Sequence, residues 1–342
     1  MRFVFIANNP DISFGKQAEI LENELRNKGH IVIHIDHMAS PVVKENIINN
    51  IKPDVVVVWT FFHDKAHPTM SVNELQKTRD FMLIGFEVSD TTRLSDKAMG
   101  LVKELNPDIL LTPSKWSAMG FHDVNIPIAV LPHALDNEVY NILRKGKYII
   151  IPSLENTMNK VYIYASHSKD RKGTDIALYG VKEECKKQKF MVIYKTWGYD
   201  TKDLNEISCM TYKSLGHSNK LLHYTIMNKS THLFYPVRGG AFEIPVLEML
   251  ALGKTVIVPE VGAWSEIPLD KDDVYWIKVD GYKRYWFDNP YHVGEFVEPN
   301  KEDALTKLDL ALQEPIRVDT KKYLEYYSPS NITDMFLEII KK

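Results

Sequence analysis

The sequence predicts an α/β protein of two doubly wound domains, and three observations carry that prediction. Short apolar segments alternate with amphipathic ones along most of the chain. Val55–Trp59 reads VVVVW, a near-continuous apolar strand of the kind a parallel sheet covers on both faces. Tyr235–Glu266, YPVRGGAFEIPVLEMLALGKTVIVPEVGAWSE, reads as strand end, glycine turn, helix, strand and second glycine turn. A chain of 342 residues has room for two domains.

The first half begins with a strand, Arg2–Ala7, followed by a polar loop, Asn8–Gly15. Gln17–Lys28 is an amphipathic helix with Ile20, Leu21 and Leu25 on one face and Gly29 as its stop. His30–Ile35 is the second strand, Val43–Asn50 a helix and Val55–Trp59 the third strand. Phe81–Phe86, Ile109–Thr112 and Val124–Leu131 are further strands. The segment from Asn137 to Asn159 lacks strong periodicity and contains Gly146 and Pro152, so the domain boundary is placed there.

The second half repeats the plan without repeating the sequence. Lys160–Ala165 is a strand and the loop 166–173 is basic. Asp175–Lys187 is a helix, Phe190–Lys195 a strand, Leu221–Lys229 a helix and Thr231–Tyr235 a strand. In the next stretch, Gly239 and Gly240 make a tight turn where backbone can approach a ligand. Pro245 suits a first helical turn because its missing N–H needs no partner there, and Gly253 ends the helix. The backbone at Ala241–Ile244 then offers N–H groups to an anionic or hydroxyl-rich ligand.

Glu248 lies about one turn inside that helix, and helical side chains lean towards the N-terminus. Its carboxylate can accept two hydrogen bonds side by side, which suits the vicinal hydroxyls of a ribose. The alternative is an acid that only complements the helix dipole. In the loop SHSKDRKGTD, Arg171 offers a planar fork to phosphate oxygens and Lys172 a point charge. Lys195, at the end of the next strand, is a second phosphate candidate or a lysine that snorkels out of the sheet.

Composition excludes more than it identifies. The chain is 44% hydrophobic and 25% charged with a net charge of -3, which gives no reason to expect nucleic acid. Cys185 and Cys209 have no metal spacing and read as reduced thiols in a cytoplasmic protein. The chain opens on a strand with no signal-peptide layout, and its longest apolar run is too short to span a bilayer. His63 and His67 lack a third ligand, so no metal is expected. His133 reads as structural, Trp264, Trp276, Trp286 and Tyr291 as packing aromatics, and Asp270, Asp272 and Asp273 as a polar turn. The run KEECKKQK, 182–189, reads as a solvated helix end, with a membrane-surface role as the alternative.

Taken together, RKGTDIAL and FYPVRGGAFEIPVLEMLALGKTVIVPEVGAWSEI resemble the donor-binding half of the retaining GT-B glycosyltransferases, specifically the group 1 (family four) type. GKQAEILENELRNKGHIVIHID resembles that family's first helix and second strand. FEVSDTTRLSDKAMGLVKELNPDILLTPSKWS resembles one of its branches, LPHALDNEVY its end-of-domain signature and YYSPSNITDMFLEII its last helix. The resemblance implies a GT-B fold: two Rossmann-like domains facing a central cleft, with the C-terminal helix crossing back to the first. Residues 1–145 would form the acceptor-side domain together with 321–342, and 146–320 the donor-binding domain.

The resemblance also implies roles. Glu248 matches the second acid of the Glu–x7–Glu motif, which holds the donor ribose. Arg171 and Lys172 fall in the phosphate loop. Gly240, Ala241, Phe242 and Ile244 fall where backbone contacts the donor, and Gly15 in the first-domain loop near the diphosphate. Glu87, Ser89 and Asp90 lie where the family places a histidine or acid near the reacting sugar carbon. The first acid of Glu–x7–Glu would stand at Gly240. Glu243, three positions later, is its candidate substitute, so Glu87, Asp90 and Glu243 are the candidate catalytic acids. Ser166–His167 replaces the usual Gly–Arg, with Arg171 as the charge that compensates.

The reaction so implied is transfer of a sugar from a nucleotide-diphosphate sugar, with UDP or GDP expected, to a glycan, glycolipid or protein-glycan acceptor. The anomeric configuration would be retained, with no metal and no cofactor beyond the co-substrate. A peripheral membrane contact would go with a lipid-linked acceptor. Gly240 keeps two alternatives open: a weakened nucleotide-sugar-binding protein, and an enzyme that hydrolyses or epimerises the donor.

Overall fold

The computed structural model describes residues 1–10, 13–60, 80–165, 170–196, 202–215, 219–284 and 289–341. The chain forms two compact units. One comprises Met1–Ala134, Trp286–Gly294 and Tyr327–Lys342, and the other Leu135–Tyr285 and Glu295–Tyr326.

The first unit is built on a six-stranded parallel sheet in the order β2-β1-β3-β4-β5-β6. Its strands are β1 Arg2–Ala7, β2 Ile31–Asp36, β3 Val55–Trp59, β4 Met82–Phe86, β5 Ile109–Thr112 and β6 Ile128–Val130. All five residues of β3 are buried, as a strand covered on both faces requires. Helix Ser13–Asn27 comes after β1, and Gly29 stops it in the left-handed region at φ 83°. The last helix, Pro329–Ile339, packs against helix Ser13–Asn27, and Lys28 bonds Asp334 at 3.1 Å.

The second unit repeats the plan in the order β12-β11-β10-β7-β8-β9. Its strands are β7 Lys160–Tyr164, β8 Met191–Thr196, β9 Met210–Leu215, β10 His232–Phe234, β11 Thr255–Pro259 and β12 Val274–Ile277. Every pairing is again parallel. An antiparallel pair, β13 Val279–Lys283 with β14 Phe296–Pro299, completes it. Its core gathers Val161, Ile163, Val192, Phe234, Ile257 and Leu308 between sheet and helices.

The structure departs from the sequence reading in three places. Asn137–Lys145, in the stretch read as lacking strong periodicity, is a helix capped by Asp136, whose side chain accepts from the Glu138 N–H. It buries Val139 and Ile142 and packs on helix Lys220–Lys229 of the second unit. The strand expected over 124–131 narrows to β6. Cys185 and Cys209 are not free thiols: they are joined in a disulfide with Cα atoms 5.5 Å apart. The bridge ties the C-cap of helix Thr174–Glu184 to the residue before β9, and the inference from cysteine to a reducing compartment falls with it. No helix among the described residues is long and apolar enough to cross a membrane.

Candidate active site

A doubly wound sheet opens its binding crevice at the carboxyl ends of the strands where the strand order reverses. In the second unit that point lies between β7 and β10, which are neighbours although far apart in sequence. The loops leaving these strands carry Arg171, Lys172 and Gly239–Glu243. The sheet itself therefore brings two separate sequence signals together.

Backbone locks the two loops to each other. The Arg238 N–H donates to the Arg171 carbonyl at 2.8 Å, and Arg171 Nη1 donates to the Gly239 carbonyl at 3.0 Å. Gly173 sits at φ 63°, and a Cβ there would lie 1.8 Å from the Pro236 carbonyl oxygen, so only glycine permits this approach. Arg238 clamps the same junction: its guanidinium donates to both Asp175 oxygens at 2.6 and 2.8 Å, to Glu298 at 3.0 Å and to the Asp170 carbonyl. Burial alone would lift the Asp175 carboxyl, but Arg238 outweighs it and holds the group below its ordinary value.

Glu243 is the centre of the cluster. Its carboxylate accepts from Lys172 Nζ at 2.6 and 2.8 Å and from the Tyr235 hydroxyl at 2.6 Å, with Arg171 Nη1 3.9 Å away. Both Glu243 and Lys172 are buried. Burial, and then the Glu243 charge, push the Tyr235 phenol well above its ordinary value, so it stays a donor. A Cβ added at Gly240 would lie 1.9 Å from Glu243 Oε1. The Glu243 carboxylate therefore fills the space beside Gly240 that any side chain at that position would need.

Glu243 is also the residue before helix Ile244–Ala251, which has Pro245 in its first turn and no side-chain cap. Glu248, on this helix, is buried and accepts from the Tyr224 hydroxyl at 2.6 Å. Thr174 opens helix Thr174–Glu184 with a buried hydroxyl that has no hydrogen-bond partner among the described residues. Lys195, next to last in β8 beside β7, is buried, not snorkelling; burial lowers its pKa from the ordinary lysine value.

The candidates Gly15, Glu87, Ser89 and Asp90 belong to the first unit. Gly15 lies in the first turn of helix Ser13–Asn27, where a Cβ would meet the Asn9 and Asn8 carbonyl oxygens at 2.1 and 2.4 Å. Glu87 comes directly after β4, is fully buried, and accepts from the Val88 N–H. Ser89 donates its hydroxyl to the Thr91 carbonyl, and the Asp90 N–H donates to His292 Nδ1 at 3.2 Å. His133 is buried, and desolvation lowers its pKa to about 3, so it stays neutral. Trp264 is fully buried with its Nε1 donating to the Pro259 carbonyl. Asp270 caps a short 3-10 turn, Lys271–Asp273. His63, His67, Ser166, His167 and Trp286 lie outside the described residues. Among the described residues no three His, Cys, Asp or Glu side chains cluster as a metal set.

The sequence reading missed Tyr224, Tyr235 and Arg238. Tyr235 and Arg238 lie inside the stretch already singled out. An arginine between an apolar strand end and a Gly–Gly turn was the available signal for the clamp. Tyr224 had no such signal, because its link to Glu248 depends on the packing of two helices.

No family model matches the chain. In sequence it is similar to the protein named "Putative glycosyltransferase 45" of Sulfolobus islandicus filamentous virus (isolate Iceland/Hveragerdi), 34% identical over 327 residues, 91% of this chain and 84% of that one. Among solved structures it is similar to Anabaena HepE in complex with UDP and glucose, with a TM-score of 0.69 at 10% identity over 100% of this chain and 99% of that one. The E. coli trehalose-6-phosphate structure bound with UDP-2-fluoro glucose gives a TM-score of 0.68 at 11% identity, again over 100% and 99%. Likeness at that identity is likeness of fold, and the fold is GT-B. The chain belongs to the glycosyltransferases.

Proposed function

We propose that this glycosyltransferase is of the retaining type and takes its sugar from a nucleotide-diphosphate sugar without a metal ion. The observation that carries the reading is the convergence of Arg171, Lys172 and Glu243 at the β7–β10 reversal, with Glu248 on the adjoining helix. A departing diphosphate needs positive charge already in place. Arg171 and the start of helix Ile244–Ala251 offer it, and Lys172 adds a charge that it shares with Glu243. Glu248, fixed at one oxygen by Tyr224, would hold the ribose hydroxyls, and the Thr174 hydroxyl is a further phosphate partner.

Glu243 would take the role of the first motif acid towards the donor sugar. Its position against Gly240 supports an active enzyme over a weakened binding protein, since the glycine alone had motivated the latter. Glu87 and Asp90 are the proposed acids of the first unit near the reacting carbon. UDP is the base to test first, because the HepE and trehalose-6-phosphate structures hold UDP or a UDP sugar; GDP is second. The acceptor class is a glycan, a lipid-linked sugar or a protein glycan.

Thermal unfolding with UDP, GDP, ADP, TDP and their sugars, on wild type and Glu248→Ala, tests the donor site. A nucleotide at 100 times its dissociation constant adds about 2.7 kcal/mol to the folded state. A shift with one base, lost in the variant, is expected. No shift with any nucleotide at millimolar concentration would sink the reading.

A further inference from the structure

The surface of the second unit carries a feature that the donor site does not use. Leu143–Ile150, LRKGKYII, is exposed at every residue. It runs from the end of helix Asn137–Lys145 through Gly146, which turns the chain at φ 57°. Its apolar members lie open to solvent, with Tyr148 49% and Ile150 72% exposed. Its three charges, Arg144, Lys145 and Lys147, are all positive, and none forms an ion pair with a carboxylate among the described residues. Lys229 from helix Lys220–Lys229 adds a fourth cation, 4.8 Å over the Tyr148 ring, while also bonding Glu155 at 2.7 Å. The strip is anchored: the Ile149 N–H donates to Thr225 Oγ1 at 3.1 Å.

The run at 182–189 differs in kind. It has four lysines, but Lys182, Lys186 and Lys187 pair with Glu206, Glu183 and Glu184 at 2.5, 2.6 and 3.0 Å. Three of its four lysines are thus paired with carboxylates, and the run contains no large aliphatic or aromatic residue. The strip at 143–150 combines uncompensated positive charge with exposed Leu143, Tyr148, Ile149 and Ile150 in a chain whose net charge is -3. Phosphates of nucleic acid would satisfy the cations and leave the aliphatic side chains in water. An anionic lipid surface satisfies both, with cations at the headgroups and tyrosine and isoleucine at the acyl boundary.

We propose that Leu143–Ile150 is a docking surface for an anionic lipid bilayer, which holds the second unit at a membrane. The strip shares no residue with the donor cluster, so the variants below are expected to lose vesicle binding while keeping the nucleotide-dependent thermal shift. The experiment is co-sedimentation of the full chain with phosphatidylcholine vesicles, with and without phosphatidylserine. The variants are Lys145→Glu/Lys147→Glu and Tyr148→Ser/Ile150→Ser, all at exposed positions, with thermal unfolding checked alongside. Wild type is expected to sediment only with the phosphatidylserine vesicles. The charge-reversed variant should lose about tenfold or more in partitioning, and the apolar variant should also fall. Wild type that stays in solution, or variants that bind as wild type does, would overturn the proposal. So would a concentration-dependent dimer abolished by these substitutions without vesicle binding, or binding to an RNA oligonucleotide in place of vesicles.

Discussion

In the proposed reading, Glu243 stands in for the acid that the motif would place at Gly240. Its carboxylate occupies the volume that a side chain at Gly240 would need, and Lys172 and Tyr235 fix it there. Removing one partner of a buried ion pair leaves the other charge stranded, which costs about 3–5 kcal/mol. Glu243→Gln is therefore expected to lower urea-unfolding stability by roughly that amount, less whatever Tyr235 recovers by bonding the amide. Gly240→Glu alone should weaken donor binding, because two carboxylates compete for one space. Combining it with Glu243→Ala returns a single carboxylate to the same place, and affinity is expected within about tenfold of wild type. Titration calorimetry with the nucleotide found in the thermal screen reads all three. Gly240→Glu that binds donor as well as wild type does would sink the substitution argument.

At the scale of elements, helix Thr174–Glu184 is held at both ends. Gly173 and Arg238 fix its start to the loop after β10, and Cys185–Cys209 fixes its end to β9. Closing a loop with a sequence separation of 24 removes freedom from the unfolded chain. The loop-entropy relation puts this at about 3 kcal/mol. Cys185→Ser and Cys209→Ser should each lower stability by that order, and reductant should do the same to wild type. Wild type whose unfolding midpoint ignores reductant would contradict the bridge.

At the scale of the whole molecule, buried histidines set an acid limit in each unit. His133 in the first and His232 in the second are both held below the ordinary histidine pKa by burial, His133 to about 3. Unfolding lets them take up a proton near pH 6.5, so stability is full above that pH and falls as pH drops below it. For His133 the loss at pH 5 is about 2 kcal/mol. His34 acts in the opposite sense. Its hydrogen bond to buried Glu22 at 2.7 Å raises its pKa, so its contribution is present below 6.5 and is lost as pH rises through the folded value. Urea unfolding from pH 5 to pH 8 should show both limbs. His133→Gln should flatten the acid limb, and His34→Gln the other. An unchanged acid limb in His133→Gln would show that this histidine is not buried as a neutral group.

The sequence by itself determined the inner strands, because burial of a parallel strand on both faces demands a continuous apolar run, as in Val55–Trp59, and that requirement is local; β9, β12, β13 and β14, without such runs, were not read from it. It likewise determined the helix stops at Gly29 and Gly253, where backbone must enter a region that side chains disfavour. It marked Arg171, Lys172 and Glu248 through their residue types beside glycine turns; the resemblance they carry led to the glycosyltransferase class, and only that resemblance drew attention to Glu243. Only the tertiary structure decided which of these meet. Strand order places β10 beside β7, so loops about seventy residues apart share one junction, as the separation of 71 between Lys172 and Glu243 records. The same non-local packing paired Tyr224 with Glu248 and Cys185 with Cys209. It also left Leu143–Ile150 exposed. A one-dimensional pattern encodes which face of an element is apolar, but partners depend on how separate elements are brought together.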